Sequence, residues 1–224
     1  MAELRPSRDK ALAWLAFIGI LILIGYAGRL GEGEPDRNIL YTYSVFVASA
    51  FQYGLMLLIV LWIGKGLPKR DLLGLHRPVT SFWKTVGLIL GALVAIYALS
   101  AALDPFLNAG EEQGLTPERW DPDRAPQYAA SFVAVAVIAP IVEELTFRGE
   151  GFTLLGRYGR GVAIVGTALA FGLSHGLLIA LPILTVFGLG LAWLRDRTGS
   201  IYPCMALHAF FNGIALIAAV TIEQ

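Results

Sequence analysis

The sequence is poor in charged residues and in cysteine. Charged side chains make up 15% of its 224 residues, whereas about 25% is typical of a soluble domain. Cys204 is the single cysteine, which excludes a framework of internal disulfides. The 17 Lys and Arg equal the 17 Asp and Glu in number, so no basic excess indicates a nucleic-acid partner. A soluble fold is therefore not expected.

Apolar residues make up 56% of the chain and are arranged in long uncharged runs. A helix that crosses a bilayer needs about 20 such residues. The runs without Asp, Glu, Lys or Arg are Ala11–Ala27, Ile39–Gly64, Thr85–Leu103, Ala125–Val142, Gly161–Leu181, Pro182–Leu194 and Ser200–Ile222. They predict an all-α, polytopic membrane bundle of about seven transmembrane helices. The chain is short enough to form one integral-membrane domain over residues 1–224.

Positive charges alternate between the loops that join these runs. Counted loop by loop, 13 of the 17 Lys and Arg fall on one side of the predicted membrane and 4 on the other. The positive-inside rule then predicts a cytoplasmic amino terminus, with Pro182–Leu194 as a true crossing. Arg5, Arg8 and Lys10 before the first run would also suit a signal peptide, but this run exceeds the usual apolar stretch of about 7 to 15 residues. We therefore predict that the first span is an uncleaved anchor.

The segments between the spans carry weaker signals. Lys65–Lys84 mixes basic and large apolar residues, a pattern typical of a segment on an anionic membrane surface, and His76 within it is interpreted as a surface residue. The acidic segment Asp104–Arg124 is expected to be solvated. Cys204 is interpreted as a small residue in a helix interface. Gly149–Gly161 lacks the GxxxxGK[ST] pattern, which argues against phosphate binding.

Two glutamates interrupt the otherwise apolar spans. An ionised side chain at the centre of a membrane helix costs about 2.5 to 3.5 kcal/mol on insertion scales, so it is a functional-site hypothesis. Glu143 and Glu144 directly follow the fourth run, and adjacent helical residues point about 100° apart. Glu144 and Arg148 stand four residues apart and can pair, which leaves Glu143 as a carboxylate suited to general-base chemistry. The alternative is a pair of solvated glutamates at a helix end.

Three more polar side chains lie in the later spans. His175 stands between Gly172 and Gly176, a GxxxG pattern that is expected to admit a second backbone. His208 and Asn212 are four residues apart and share one helical face. At about 1.5 Å per residue, the two histidines and Asn212 would lie about 12 to 20 Å from the cytoplasmic ends of their helices, deeper than Glu143 at about 8 to 10 Å. A shared cavity is the prediction, and structural hydrogen bonding between helices is the alternative.

These residues form three motifs in chain order, Glu143-Glu144-x-x-x-Arg148, Phe171-x-x-x-His175 and His208-x-x-x-Asn212. Together they resemble the signature of the CPBP intramembrane proteases. This family includes the type II CAAX prenyl endopeptidases and bacterial bacteriocin-processing and immunity proteins. The resemblance covers about residues 125–220, and it implies a four-helix catalytic core at residues 125–222, with three further spans over residues 11–103.

The resemblance implies hydrolysis of a peptide bond within the membrane by an activated water. By position, Glu143 corresponds to the general base and His175 to its partner in polarising the water. His208 and Asn212 correspond to donors that stabilise the oxyanion, a role that gains strength in a dry site. The remaining motif positions are supporting residues, namely Glu144, Arg148 and Phe171.

A zinc-dependent version of the same site stays open. Glu143, His175 and His208 would then form a ligand set of two histidines and one glutamate, leaving one coordination position for water. The sequence contains no HExxH motif and therefore does not require zinc.

Two other classes of protein stay open as well. A non-catalytic membrane immunity or scaffold protein would use the polar motifs to hold helices together. A small transporter would also explain intramembrane Glu and His, but the sequence lacks the paired broken helices and repeats of transporter folds. The expected partners are the lipid bilayer and a membrane-associated peptide. The sequence does not identify the substrate, which could be a prenylated peptide, a pheromone or a bacteriocin. It does not identify the oligomeric state either.

Overall fold

The computed structural model describes residues 7–30, 38–107, 112, 117 and 119–221. Within these residues the fold is all-α and contains no β-strand, so the predicted fold class is confirmed. Several residues that enter the predictions lie outside the described residues: Arg5, Arg37, Glu111, Glu118 and Ile222.

Eight helices are described along the chain. They are α1 (Arg8–Arg29), α2 (Tyr43–Ile63), the single turn α3 (Lys69–Leu72), α4 (Phe82–Leu107), α5 (Pro122–Gly156), α6 (Arg160–Ser174), α7 (Leu181–Thr198) and α8 (Tyr202–Thr221). A short 3₁₀ turn, Ile39–Tyr41, precedes α2.

Five helices are long and apolar enough to cross a membrane, namely α1, α2, α4, α5 and α8. The other two expected spans form α6 and α7. Helix α6 has 15 residues, about 22 Å of rise, which is less than the roughly 30 Å hydrocarbon core. Helix α7 ends in Arg195, Asp196 and Arg197, so its last turn is highly charged. The polytopic membrane bundle is confirmed, whereas the crossing of Pro182–Leu194 and the cytoplasmic amino terminus stay predictions.

Helix α5 continues past the uncharged run that ends at Val142 and extends to Gly156. The charged residues that follow Val142 are buried inside the bundle rather than exposed at a helix end. Two π-helical segments, Ala134–Ile138 and Leu145–Gly151, flank the two glutamates. Such wide turns are frequent at functional sites.

The longer α5 also changes the predicted depth of Glu143. Glu143 lies 13 residues before Gly156, a rise of about 20 Å. His175 lies 15 residues after Arg160, at the opposite end of α6, a rise of about 22 Å. Since α5 ends where α6 begins, the two side chains stand at one level. The estimate of about 8 to 10 Å placed the helix end about five to seven residues after Glu143, whereas α5 continues to Gly156.

The two glycines near His175 contact two different helices, α7 at Gly172 and α1 at Gly176. A Cβ on Gly172 would lie 2.8 Å from Oγ1 of Thr185 in α7. Gly176 lies beyond the end of α6 with φ +67°, and a Cβ there would lie 2.5 Å from the carbonyl carbon of Gly25 in α1. A second backbone therefore approaches closely at Gly176, as expected, but the two glycines do not share one helical face because α6 ends at Ser174.

Helix α1 packs directly on the segment of α5 that follows the glutamates. Trp14 is fully buried, and its Nε1 donates a hydrogen bond to the Thr146 carbonyl at 3.0 Å. The connection between α2 and α4 contributes Leu72 and Leu73 to the same core. The expected membrane-surface position of Lys65–Lys84 is therefore wrong for these two leucines, which protein contacts bury.

Two residues outside the motifs have the environments expected of them. Cys204 is buried, and its Sγ donates to the Leu191 carbonyl at 3.3 Å, in the interface between α8 and α7. His76 is partly exposed, with its Nε2 2.9 Å from Oδ1 of Asp71.

Candidate active site

The structure brings four predicted site residues to one cavity of about 250 Å³. Glu143 from α5, His175 from the end of α6, and His208 and Asn212 from α8 all line it. Most of the remaining lining is apolar, including Phe171 and Phe187. Polar groups in such a cavity interact strongly, because little water screens them.

Glu143 is buried, with 7% of its surface exposed, and has a neighbour at each carboxylate oxygen. The Tyr53 hydroxyl donates to Oε1 at 2.6 Å. Oε2 lies 3.7 Å from Nε2 of His208. The second distance is too long for a direct hydrogen bond, so Oε2 still has capacity to accept a proton from a small molecule in the cavity.

Glu144 and Arg148 form the ion pair that their spacing predicts. Both side chains are fully buried, and Arg148 Nη1 donates to Glu144 Oε1 at 3.1 Å. Arg148 Nη2 donates to the Gly188 carbonyl of α7 at 3.0 Å. Breaking a buried pair is costly because it leaves an uncompensated charge.

Glu144 also fixes the ring of His208. Nδ1 of His208 lies 2.9 Å from the same Oε1 that accepts from Arg148. Since a carboxylate oxygen accepts, Nδ1 carries the proton of this bond. The ring is further held by edge-to-face contacts with Phe171 and Phe187, at centroid distances of 5.6 and 5.0 Å. Nε2 is thereby directed to the cavity and to Glu143.

Phe171 packs among the charged and ring side chains of the site. The Arg148 guanidinium lies 4.5 Å from its ring centroid, and the His175 ring lies at 4.6 Å. His175 Nδ1 is 2.7 Å from the Phe171 carbonyl. A carbonyl only accepts, so Nδ1 of His175 donates and its Nε2 keeps a lone pair in the neutral ring.

Asn212 makes a contact that its motif position does not reveal. Its Nδ2 donates to the Val135 carbonyl at 2.9 Å. Val135 lies in the first π segment, where its i+5 partner is Pro140, which has no N–H to donate. The Ala139 N–H bonds instead to Ala134. Asn212 therefore satisfies a carbonyl that α5 leaves free, while its second amide N–H stays available.

A second, larger cavity meets the first at Glu143. It measures about 500 Å³, lies between α1 and α2, and shares Tyr53, Glu143 and His175 with the smaller cavity. Its other walls are mainly apolar and include Phe17 and Ile24. The carboxylate of Glu143 thus stands where the two cavities join.

The acidic segment before α5 contributes one residue to the surroundings of His175. Glu112 accepts hydrogen bonds from the backbone N–H groups of Leu178 and Ala180, each at 2.8 Å. Its own carbonyl accepts from Arg29 at 3.0 Å. Glu112 therefore ties the loop after His175 to α1.

Sequence reasoning missed Tyr53 and Glu112. Tyr53 lies within a long apolar run, where one tyrosine carries no distinguishing signal. Glu112 lies in a segment whose several acidic residues are equally typical of a solvated loop.

The described residues contain no group of three His, Cys, Asp or Glu side chains arranged to hold a metal ion together. The proposed zinc ligands Glu143, His175 and His208 line one cavity but do not form such a group. Zinc-dependent hydrolysis stays an alternative to hydrolysis by the glutamate alone.

Residues 125–214 match a family model, Rce1-like, described as type II CAAX prenyl endopeptidase Rce1-like. No curated protein and no solved structure matches the chain significantly. The match confirms the resemblance that the three motifs indicated. It supports protease activity at the level of the family. With the five long apolar helices, it indicates an integral membrane protein with a membrane-associated substrate.

Proposed function

We propose that the protein is an intramembrane endopeptidase that hydrolyses a peptide bond of a membrane-associated peptide, with Glu143 as general base. The observation that carries the proposal is the convergence of Glu143, His175, His208 and Asn212 on one cavity. Polar and ionisable side chains inside a membrane bundle are energetically costly, so a group of four at one cavity indicates a functional site.

In the first step, a water in the cavity gives a proton to Oε2 of Glu143 and its oxygen attacks the carbonyl carbon of the scissile bond. Oε2 is the oxygen that Tyr53 does not engage. His175, with Nδ1 bound to the Phe171 carbonyl, offers Nε2 as a second acceptor that orients this water. The carbonyl π electrons move to oxygen and form an oxyanion.

In the second step, the tetrahedral intermediate collapses and the proton on Glu143 passes to the leaving nitrogen. The products are a carboxylic acid and an amine, so one water is consumed. Transfer of the acid's proton to the amine then gives a carboxylate and an ammonium group. Nε2 of His208 stabilises the oxyanion when the ring carries both protons, and the carboxylate of Glu144 beside Nδ1 balances that charge. The free amide N–H of Asn212 is the second donor.

The apolar cavity between α1 and α2 favours a substrate with a large apolar group next to the scissile bond. Its volume of about 500 Å³ suits a lipid chain or a stretch of apolar side chains. Prenylated CAAX-type peptides are one such class, and apolar pheromone or bacteriocin precursors are another.

Two contacts favour the second candidate function, a non-catalytic immunity or scaffold protein. Arg148 bonds to Gly188 of α7, and Asn212 bonds to Val135 of α5, so both hold helices together. This function predicts that His175→Ala reduces folded yield together with any phenotype. The proposed protease predicts loss of phenotype at normal yield.

Comparative membrane proteomics tests the proposal. Cells that express the wild type are compared with cells that express Glu143→Gln, and precursors that stay uncut in the variant are identified. The matched control is Glu150→Gln, the same change on the same helix at a buried carboxylate outside the cavity. We expect uncut precursor with Glu143→Gln alone. Equal processing by wild type and Glu143→Gln would refute the role of Glu143.

A further inference from the structure

Tyr53 is the hydrogen-bond donor to the proposed general base, although it lies in α2, outside the segment that matches the family. Its hydroxyl is 2.6 Å from Oε1 of Glu143. Distances of about 2.5 to 2.7 Å are typical of a charge-assisted O–H···O⁻ bond. Because a carboxylate accepts, the phenol is the donor.

This bond determines which carboxylate oxygen faces the reaction. With Oε1 engaged by Tyr53, Oε2 lies 3.7 Å from Nε2 of His208. The final torsion of a glutamate side chain is soft, and Tyr53 provides the one hydrogen bond to this carboxylate among the described residues. Without it, Glu143 can rotate and close the gap to His208, which would remove the place of the water.

We propose that Tyr53 is a positioning residue that holds Glu143 away from His208 and keeps Oε2 directed to the attacking water. The inference rests on the proposed function, and it adds a residue from α2 to a site otherwise built by α5, α6 and α8. Tyr53 lines both cavities, so the residue that orients the base also stands where the two compartments join.

The experiment compares Tyr53→Phe with Tyr128→Phe in the full chain, reconstituted in lipid vesicles. Tyr128 is a matched control because its buried hydroxyl donates to the Leu216 carbonyl at a similar distance, 2.7 Å. The probes are a farnesylated peptide that ends in a CAAX sequence and the precursor found by proteomics. We expect Tyr53→Phe to lower kcat about 10- to 100-fold, as for a lost hydrogen bond to a charged group, with KM nearly unchanged. Tyr128→Phe should leave both constants unchanged.

The outcomes separate this inference from the proposed function. If Glu143→Gln cleaves as fast as the wild type, or the wild type cleaves neither probe, the proposed function is wrong. If Glu143→Gln is inactive and Tyr53→Phe matches the control in kcat, only the role of Tyr53 is wrong.

A spectroscopic measurement tests the hydrogen bond without a substrate. Difference ultraviolet resonance Raman spectra, wild type minus Tyr53→Phe, isolate the signal of Tyr53. We expect the signature of a strong phenol donor, which weakens when the same difference is taken in the Glu143→Gln background. An identical signal in both backgrounds would overturn the inference.

Discussion

Replacing Arg148 by methionine should unfold the protein far more readily than the same change at an exposed arginine. Methionine keeps much of the length and volume of the side chain but removes its charge. In the wild type, Arg148 is fully buried and donates to Glu144 and to the Gly188 carbonyl. The variant leaves the Glu144 carboxylate buried without the guanidinium that pairs with it.

The expected loss is about 3 to 5 kcal/mol, the usual cost of removing one partner of a buried ion pair. Arg160→Met is the control, because Arg160 pairs with Asp196 at the surface with 66% of its own side chain exposed. Exposed pairs contribute about 0 to 1 kcal/mol. Reversible unfolding in mixed micelles, titrated with denaturing detergent, measures both variants. Equal losses for Arg148→Met and Arg160→Met would refute the assignment of a buried pair.

A double variant separates the stability of the pair from its use in the site. Glu144→Leu combined with Arg148→Met replaces both charges with apolar groups, which often restores stability. It also removes the partner of Nδ1 of His208. We therefore expect stability to recover towards that of the wild type while cleavage stays impaired. Recovery of both would show that Glu144 does not orient His208.

Three further predictions concern the surroundings of the site. Glu112→Ala should accelerate amide hydrogen exchange at Leu178 and Ala180, since both N–H groups lose their acceptor; unchanged exchange would exclude the tether. Gly176→Ala should cost at least about 1 to 3 kcal/mol in the same unfolding assay, because its φ is +67°. Gly87→Ala is the control, because a Cβ on Gly87 would lie more than 4 Å from any neighbouring atom. It should leave the free energy of unfolding unchanged or raise it by up to about 1 kcal/mol. Equal changes in the two variants would contradict backbone strain at Gly176. Cleavage should survive rigorous metal removal, because the described residues hold no three-ligand group; loss that added zinc restores would support the zinc version.

The core of the site was predictable because charge is rare in this chain. Glu143, His175, His208 and Asn212 stand out against uncharged spans, and the structure places all four at one cavity. The pairing of Glu144 and Arg148 followed from helical spacing alone. Their chemical roles stay predictions until cleavage is measured.

The rarity of charged residues did not predict where the helices end or which side chains contact one another. The charges after Val142 left a solvated helix end open as an alternative, whereas α5 continues to Gly156 with those charges buried. The partner of Asn212 depends on a π turn before Pro140, which residue spacing does not specify. Tyr53 becomes relevant only when α2 is packed against α5, since its identity alone is typical of any apolar span.

The most direct test of the central claim is mass spectrometry of the cleaved substrate in water enriched in oxygen-18. Wild type and Glu143→Gln are reconstituted in vesicles with the precursor that proteomics identifies, and the new carboxyl terminus is analysed. General-base hydrolysis predicts one oxygen-18 in that carboxylate with the wild type, and no new terminus with Glu143→Gln. A labelled terminus formed at the wild-type rate by Glu143→Gln would contradict the account.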